Sequence, residues 1–448
     1  MYHSDTITAL ATPVGSGALH IIRISGEDAL EQVAKIFHPQ EKLLTAKSHS
    51  LVYGKIIAEG QLLDEVLCSV FHAPNSFTGE NSVEITCHGS MFVANSILSA
   101  LQKEIRQAKP GEFTLRAYLN NRIDLTQAEA VNDMIQAKTK KAQTLAINQL
   151  DGSLFKRISL LLDELSHYRI QLELEIDFLD DDVPDLDLDL LKENLLILKQ
   201  KLETLAASGK QGRLIREGLK VSLIGKPNVG KSSIFNMLLE TERAIVTPIP
   251  GTTRDYLEEV IALAGYLIRI YDTAGIRETS DTIEKIGIDR SRDIIQQSDI
   301  ILYITDGNDS EDEYQDFVKG FSSDKILKVL NKTDILSPEI IAKFPDYLSC
   351  FASSAEGIKA LKDALLSKIS LSDQELESGL LTNSRQITEV EKSISSIEKA
   401  ISSIENFMGY EFTAFDLKEA SSHLEEVIGK ITDDDLLNSI FDNFCIGK

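Results

Sequence analysis

Three observations predict a multidomain chain in which an α/β domain is inserted into a helical bundle that follows a small α+β domain. Strand-like runs and turn signals mix over residues 1–118. Short β-branched runs alternate with helical stretches over residues 215–371. Between and beyond these segments, over 119–214 and 372–448, apolar residues recur at steps of three and four. A length of 448 residues accommodates this plan, since domains commonly take roughly 100–200 residues each.

Each element follows from local pattern. In the first segment "ALHIIRISG" and "EVLCSVFHAP" read as strands closed by Gly or Pro, and "SMFVANSILSALQKEI" as a helix. In the second, Leu150, Leu154, Ile158, Leu161, Leu165, Tyr168 and Leu172 share one helical face, with Gly152 placed to break or bend the helix. In the third, "LKVSLIG", "LIRIYD", "DIILYITD" and "KILKVLN" read as strands of a mostly parallel sheet covered by helices on both faces. In the last, Ile387, Val390, Ile394, Ile397, Ile401, Ile404 and Met408 form a heptad seam, and the flanking helical sequence suits a bundle core rather than a free coiled coil.

Composition narrows the function classes. Hydrophobic residues make up 43% and charged residues 26%, the balance of a soluble globular protein. No apolar run approaches the ~20 residues of a membrane helix, and "MYHSDTITALATP" lacks the basic start and apolar block of a signal peptide. The four cysteines (Cys68, Cys87, Cys350, Cys445) form no CxxC pair, which points to a reducing cytoplasm. His72, Cys87 and His88 match no common zinc spacing and are expected to pack or hydrogen-bond. A net charge of −24 argues against a generic nucleic-acid coat. Part of it sits in "DFLDDDVPDLDLDL", which reads as a solvated connector.

The sharpest motif is "LIGKPNVGKSS", a strand end, a G-x-x-x-x-G-K-S loop and the start of a helix. Asn228, Val229, Gly230, Lys231, Ser232 and Ser233 would wrap a nucleotide's phosphates, with Lys231 along the β- and γ-phosphates and the Ser232 hydroxyl on Mg²⁺. "DTAG" (Asp272, Thr273, Ala274, Gly275) supplies a carboxylate for the metal and an N–H for the γ-phosphate. "GTTRD", from Gly251, supplies a threonine for the metal. "NKTD" supplies Asn331, Lys332 and Asp334, and a pure acceptor such as Asp334 selects the N–H-bearing edge of guanine. Four motifs in this order imply GTP binding. For the guanine oxygen, either Ala352 or Ala355 in "FASSAEGI" offers an N–H, and the spacing from "EGI" favours Ala352. Ile276 stands where many GTPases carry a water-orienting glutamine. Either Asn228 only shapes its loop, or its amide oxygen joins carbonyls of "TPIPGTT" in holding a monovalent cation beside the phosphates.

Across its full length the chain resembles the MnmE (TrmE) family of tRNA uridine-34 modification GTPases. The resemblance lies in "DTITALATPVGSGALHIIRISG", "SFTGENSVEITCHG", "KPGEFTLRAYLNNRIDLTQAEAV", the nucleotide motifs and the closing "CIGK". It implies an N-terminal tetrahydrofolate-binding domain that makes a homodimer, and a helical domain carrying an inserted G domain. It implies a GTP hydrolase that works with an FAD-dependent partner of the MnmG (GidA) type on certain tRNAs. The reaction adds an aminomethyl-type or carboxymethylaminomethyl group at C5 of the wobble uridine. The one-carbon donor would be 5-formyl- or 5,10-methylene-tetrahydrofolate.

The resemblance also assigns residues. K⁺ would be held by Asn228, Thr247, Ile249 and Thr252, within a loop that includes Pro248, Pro250 and Gly251, and Mg²⁺ by Ser232 and Thr253. Glu284, which local sequence reads as a solvated helix residue, would orient the attacking water. Arg23, Glu80, Arg122 and Lys448 would bind folate, with an arginine fork at 122 where the family often has lysine. "FCIGK" imitates a prenylation box in position only, because Gly447 and Lys448 do not fit it. The resemblance instead implies a tail folded back to the dimer interface, with Cys445 beside the folate pocket either as a reactive thiol or as an inert one. Two rival functions remain: a regulatory switch of the ribosome-assembly type, and a membrane-remodelling GTPase with a helical stalk. The acidic chain disfavours the first, and the lack of a basic amphipathic anchor disfavours the second.

Overall fold

The structure is a computed structural model that describes residues 5–177, 186–241, 258–272, 294–351, 355–368 and 379–448. The chain forms two compact units. One comprises Met1–Asn132, Leu150–Asp163 and Ser421–Lys448, the other Asp133–Gln149 and Glu164–Ala420.

The first unit is built on a seven-stranded sheet in the order β3-β4-β5-β6-β2-β1-β7. Its strands are β1 (Ile7–Leu10), β2 (Leu19–Ser25), β3 (Phe37–His38), β4 (Ser50–Ala58), β5 (Gln61–Phe71), β6 (Ser82–His88) and β7 (Arg106–Gln107). Pairing is antiparallel except between β1 and β7. The period-2 rule decides what each face carries. In β2, Ile22 and Ile24 are fully buried in the main core with Val83, Ile85, Val70 and Cys68. Helices α1 (Ala29–Ala34) and α2 (Gln40–Leu44) lend Leu30, Val33 and Leu43 to that core, and helix α3 (Met91–Leu101) lends Ala94 and Ile97. Arg23, between the two isoleucines, is thereby placed on the opposite face. There Ile7 and Ala9 of β1 pack with Ala108 and Phe113 in a second, smaller core. The chain turns at Gly111, whose φ of +65° favours glycine, into helix α4 (Glu112–Leu119). Helix α5 (Leu125–Gln136) and the helix Asp434–Phe441 then share Leu115, Leu125, Leu437, Phe441 and Phe444 with α4.

The second unit carries a six-stranded sheet in the order β13-β12-β11-β8-β10-β9. It comprises β8 (Leu219–Ile224), β9 (Glu258–Leu263), β10 (Tyr266–Asp272), β11 (Ile300–Thr305), β12 (Ile326–Leu330) and β13 (Leu348–Ser349). All neighbours are parallel except the β9–β10 hairpin. All six residues of β11 are buried, the run expected of a strand covered on both faces. The four strands expected from sequence are β8, β10, β11 and β12.

The helical elements agree with their periodicity, with one difference. Gly152, at φ +77°, separates α6 (Lys140–Leu150) from α7 (Ser153–Asp177). Helix α8 (Leu188–Glu217) is capped by Asp187, whose carboxylate accepts from the Leu190 N–H. A Cβ at Gly209 would meet the Ile387 side chain at 2.4 Å, and one at Gly212 the Leu381 carbonyl at 2.0 Å. These two glycines let α8 approach the start of the helix Ser384–Glu405 closely. In that helix Val390, Ile397, Ile401 and Ile404 are buried, and so are Ser393, Ser396, Ala400 and Ser403. Ile387 and Ile394 are only half-buried, and Met408 lies beyond the helix end, exposed. The buried face therefore joins part of the large-residue seam to small residues beside it, and Ser393 Oγ satisfies itself by donating to the Ala420 carbonyl at 2.9 Å.

Candidate functional site

The phosphate loop runs from the end of β8 into helix α9 (Lys231–Thr241). Gly225 takes φ +145°, Asn228 +65° and Gly230 +96°. A Cβ at Gly225 would stand 2.1 Å from the Ile304 carbonyl of β11, and one at Gly230 would stand 2.1 Å from Asn331 Nδ2. Glycine is thus required twice, for conformation and for space. Asparagine is among the few side chains that accept the left-handed region, as Asn228 does. Lys231 Nζ donates to the Gly225 and Lys226 carbonyls at 2.9 and 2.7 Å, so the loop is closed by its own lysine. Ser232 and Ser233 are exposed in the first turn of α9. Val229 is buried.

The base motif is locked to this loop. Asn331 Nδ2 donates to the Val229 carbonyl at 2.8 Å, and Lys332 Nζ donates to the Asn228 carbonyl at 2.7 Å. Lys332 also pairs with Asp306 at 3.0 Å. Burial raises the Asp306 acid, but the Lys332 ammonium and the Asn308 amide outweigh it and hold the group below the usual aspartate value. Asp334 is exposed. Thr333 donates from its N–H and its hydroxyl to the Cys350 carbonyl, which ties the motif to the chain after β13. Within the phosphate loop Lys226 pairs with Asp309 at 3.0 Å and Glu313 at 2.7 Å, and Tyr303 donates to Asp309. Glu313 falls to about 2 through Lys226 and the Ser310 N–H. Sequence reasoning assigned nothing to Lys226, Asp309 or Tyr303. Their meeting depends on β8 lying beside β11, which no local pattern encodes.

The expected site residues Thr247, Pro248, Ile249, Pro250, Gly251, Thr252, Thr253, Thr273, Ala274, Gly275, Glu284 and Ala352 lie outside the described residues. Asp272 ends β10 in register with Leu223 of β8. Ala355 opens the helix Ala355–Leu366.

The first unit gathers the four other expected residues around one loop and the tail. Arg23 pairs with Glu84 at 2.8 Å, lies 5.6 Å from the Phe77 and Phe113 ring centroids, and donates to the Gly447 carbonyl at 3.2 Å. Arg122 donates from Nε to the Ser76 carbonyl. Glu80 accepts from Ser25 Oγ at 2.8 Å and from Arg116 at 3.2 Å. The Gly111 and Phe113 N–H groups donate to the Cys445 and Lys448 carbonyls at 3.4 and 3.2 Å, so the first turn of α4 grips the tail. Gly447, at φ +92°, lies so near Leu10 that a Cβ would stand 2.4 Å from its carbonyl. Cys445 is exposed. The buried thiols Cys68 and Cys87 are raised to about 12 and about 11 by burial.

A partly buried ionic network beneath Glu80 was missed by sequence reasoning. Arg116, 6% exposed, pairs with Asp5, Glu80 and Glu112, and Arg106 pairs with Asp5 and Glu112. Burial raises Glu112, yet the Arg106 fork, the Lys109 N–H and Arg116 hold it below the usual glutamate value. Glu112 and Arg116 stand at the i,i+4 spacing at which opposite charges meet on a helix. His72 Nε2 donates to the Ala46 carbonyl at 2.9 Å, and His88 Nδ1 sits 2.7 Å from Asp64 Oδ1, the hydrogen-bonding roles expected of them.

The parallel sheet, the glycine loop before α9 and the base motif locked to that loop define a P-loop GTPase domain. It is carried in one chain with an N-terminal α+β domain and a helical domain. Residues 6–122 match the family model described as GTP-binding protein TrmE N-terminus, and residues 125–445 match the MnmE helical domain. A tRNA modification GTPase MnmE of Clostridioides difficile is 40% identical, over 100% of both chains. Its counterpart from Christiangramia forsetii is 38% identical, over 99% of both. Among solved structures, the G domain of the T. maritima FeoB iron transporter covers 34% of this chain at 24% identity with a TM-score of 0.26. The chain belongs to the tRNA modification GTPase MnmE family. Among the described residues no helix is long and apolar enough to cross a membrane.

Proposed function

We propose that this GTP hydrolase of tRNA modification is K⁺-activated and acts, as a cytoplasmic homodimer with an FAD-dependent partner, on C5 of the wobble uridine. The one-carbon unit comes from tetrahydrofolate. The observation that carries the hydrolase reading is the bond from Asn331 Nδ2 to the Val229 carbonyl, which joins the base motif to the phosphate loop. A nucleotide whose base sits on Asp334 then has its phosphates registered against Lys231 and Ser232 by covalent geometry alone. Mg²⁺ would be held by Ser232 and Thr253. K⁺ would be held by Asn228 with Thr247, Ile249 and Thr252, and would stabilise charge that develops between the β- and γ-phosphates. Glu284 would orient the attacking water.

The donor set around Arg23 suits a folate. Glu80 offers an acceptor carboxylate for an N–H-rich ring edge, the half-open Phe77 ring offers a stacking face, and Arg23, Arg122 and Lys448 offer cations for an anionic tail. When bound, the folate supplies the one-carbon unit. The chain's residues orient it, and the exposed Cys445 lies on the tail that borders the same place.

The testing experiment is mass spectrometry of wobble nucleosides in tRNA from a strain lacking this protein, paired with GTP turnover by the purified chain in KCl and NaCl. Loss of the C5 group and faster turnover in KCl are expected. An unchanged uridine profile overturns the tRNA reading, and equal rates in the two salts overturn the cation reading.

A further inference from the structure

Three carboxylates and two guanidiniums meet beneath β2 and α4. Arg106 and Arg116 both pair with Asp5 and both pair with Glu112. Glu80 meets only the second of them, through Arg116 Nη1 at 3.2 Å to each carboxylate oxygen. Its remaining described partner is Ser25 Oγ, itself fully buried and within 2.7 Å of Thr78 Oγ1. Of the three carboxylates, Glu80 is thus the one paired with a single guanidinium, and its side chain is 20% exposed, between Glu112 at 7% and Asp5 at 39%.

The planar guanidinium of Arg116 has a direction. Its Nη2 is committed to Asp5 and Glu112, at 3.0 Å each. The buried Glu112 and the half-exposed Asp5 anchor one edge, and Nη1 also donates to the Asp5 carbonyl at 2.7 Å; these contacts fix the plane of the fork and aim Nη1 at Glu80 as well. Lysine, a rotatable point charge, would keep the charge and lose the aim.

We propose that Arg116 is a positioning residue for ligand binding at Glu80. It is held by Asp5 and Glu112 so that, with Ser25, it orients the Glu80 carboxylate for a ligand edge bearing paired N–H donors. The proposal rests on the folate reading above and adds to it a residue that does not touch the ligand. Arg116 lies one helical turn after the Gly111–Phe113 segment that grips the tail. Helix α4 therefore sets the tail with its backbone and Glu80 with its side chain.

The test is a double-mutant cycle on the full-length chain, titrated calorimetrically with 5-formyl-tetrahydrofolate. The four proteins are the unaltered chain, Arg116→Lys, Glu80→Gln and the double variant, and thermal unfolding confirms that each is folded. Arg116→Lys is expected to weaken binding about tenfold, Glu80→Gln by at least as much, and the double variant no more than Glu80→Gln alone. A general loosening of the fold would instead add to the Glu80→Gln effect. Additive losses, or an unaffected Arg116→Lys, overturn the positioning role while leaving the folate reading intact. Absence of binding by the unaltered chain, or binding indifferent to Glu80→Gln, overturns that reading and the proposal with it. If Arg116→Lys does not fold, Ser25→Ala takes its place in the cycle, with the same non-additivity expected and additivity again overturning the role.

Discussion

Arg23 donates to the carbonyl of Gly447 at 3.2 Å, a bond between residues 424 positions apart. Arg23 faces that way because Ile22 and Ile24 on either side of it are fully buried in the opposite face of β2. Gly447 can meet it because glycine accepts φ +92° and leaves room for the Leu10 carbonyl. A tail of that composition would ordinarily fray. Here it is held by the Arg23 bond and by two N–H groups at the start of α4.

That arrangement makes Gly447→Ala a sharp probe. The added Cβ would sit 2.4 Å from the Leu10 carbonyl in a left-handed conformation. The tail should detach, folate affinity should fall at least about tenfold, and GTP turnover should stay unchanged. Calorimetry and a phosphate-release assay read the two effects separately.

Gly230→Ala tests the joint between base motif and phosphate loop. Its Cβ would meet Asn331 Nδ2 at 2.1 Å, so either the loop opens or the Asn331 bond to Val229 breaks. GTP affinity is expected to fall by about a hundredfold or more, as read by fluorescent-nucleotide titration. An affinity within twofold of the unaltered chain would show that the joint is dispensable.

Asp334→Asn tests the base. An amide presents donors as well as an acceptor, so preference should move from GTP towards XTP, whose base carries an oxygen where guanine has its amino group. Competition between the two nucleotides measures the shift, and unaltered GTP preference would remove Asp334 from base recognition.

Asn228→Ala and Glu284→Ala separate the two proposed parts of hydrolysis. The first should abolish the difference in turnover between KCl and NaCl. The second should slow hydrolysis about a hundredfold or more while sparing nucleotide affinity. A K⁺ response that survives Asn228→Ala would leave that asparagine with loop shape alone, consistent with its φ of +65°.

The ionic network gives the first unit a signed dependence on pH. Arg106 holds Asp5 below its ordinary 3.8, against the opposing effect of burial. Burial raises Glu112, but Arg106, the Lys109 N–H and Arg116 together hold it below its ordinary 4.5. Both folded values lie beneath the unfolded ones. The stabilisation is therefore complete above pH 4.5 and is lost as pH falls through the lowered values. Glu112→Gln should cost about 3 kcal/mol at neutral pH by leaving two guanidiniums short of a carboxylate. Its gap in unfolding temperature from the unaltered chain should close as pH drops below 4.5. A gap that stays constant with pH would show that the charge of Glu112 is not what stabilises.

The phosphate loop was legible because its pattern is local. A strand end, two glycines, a lysine and a serine within eight positions must form a phosphate loop wherever β8 passes into α9. The heptad seam was legible only in part. Counting large residues missed Ser393 and Ala400, which are buried as well, and Ser393 meets the Ala420 carbonyl of a separate helix.

By itself the sequence determined four strands of the parallel sheet, the phosphate loop, the base motif and the family. All of these rest on contiguous patterns of volume, polarity and permitted φ. Tertiary structure alone decided that Arg116 and Glu112 are buried, that Lys226 reaches Asp309, and that Gly447 ends against Arg23. Each of these joins residues on separate elements, and a charge in sequence looks the same whether water or a buried partner will solvate it.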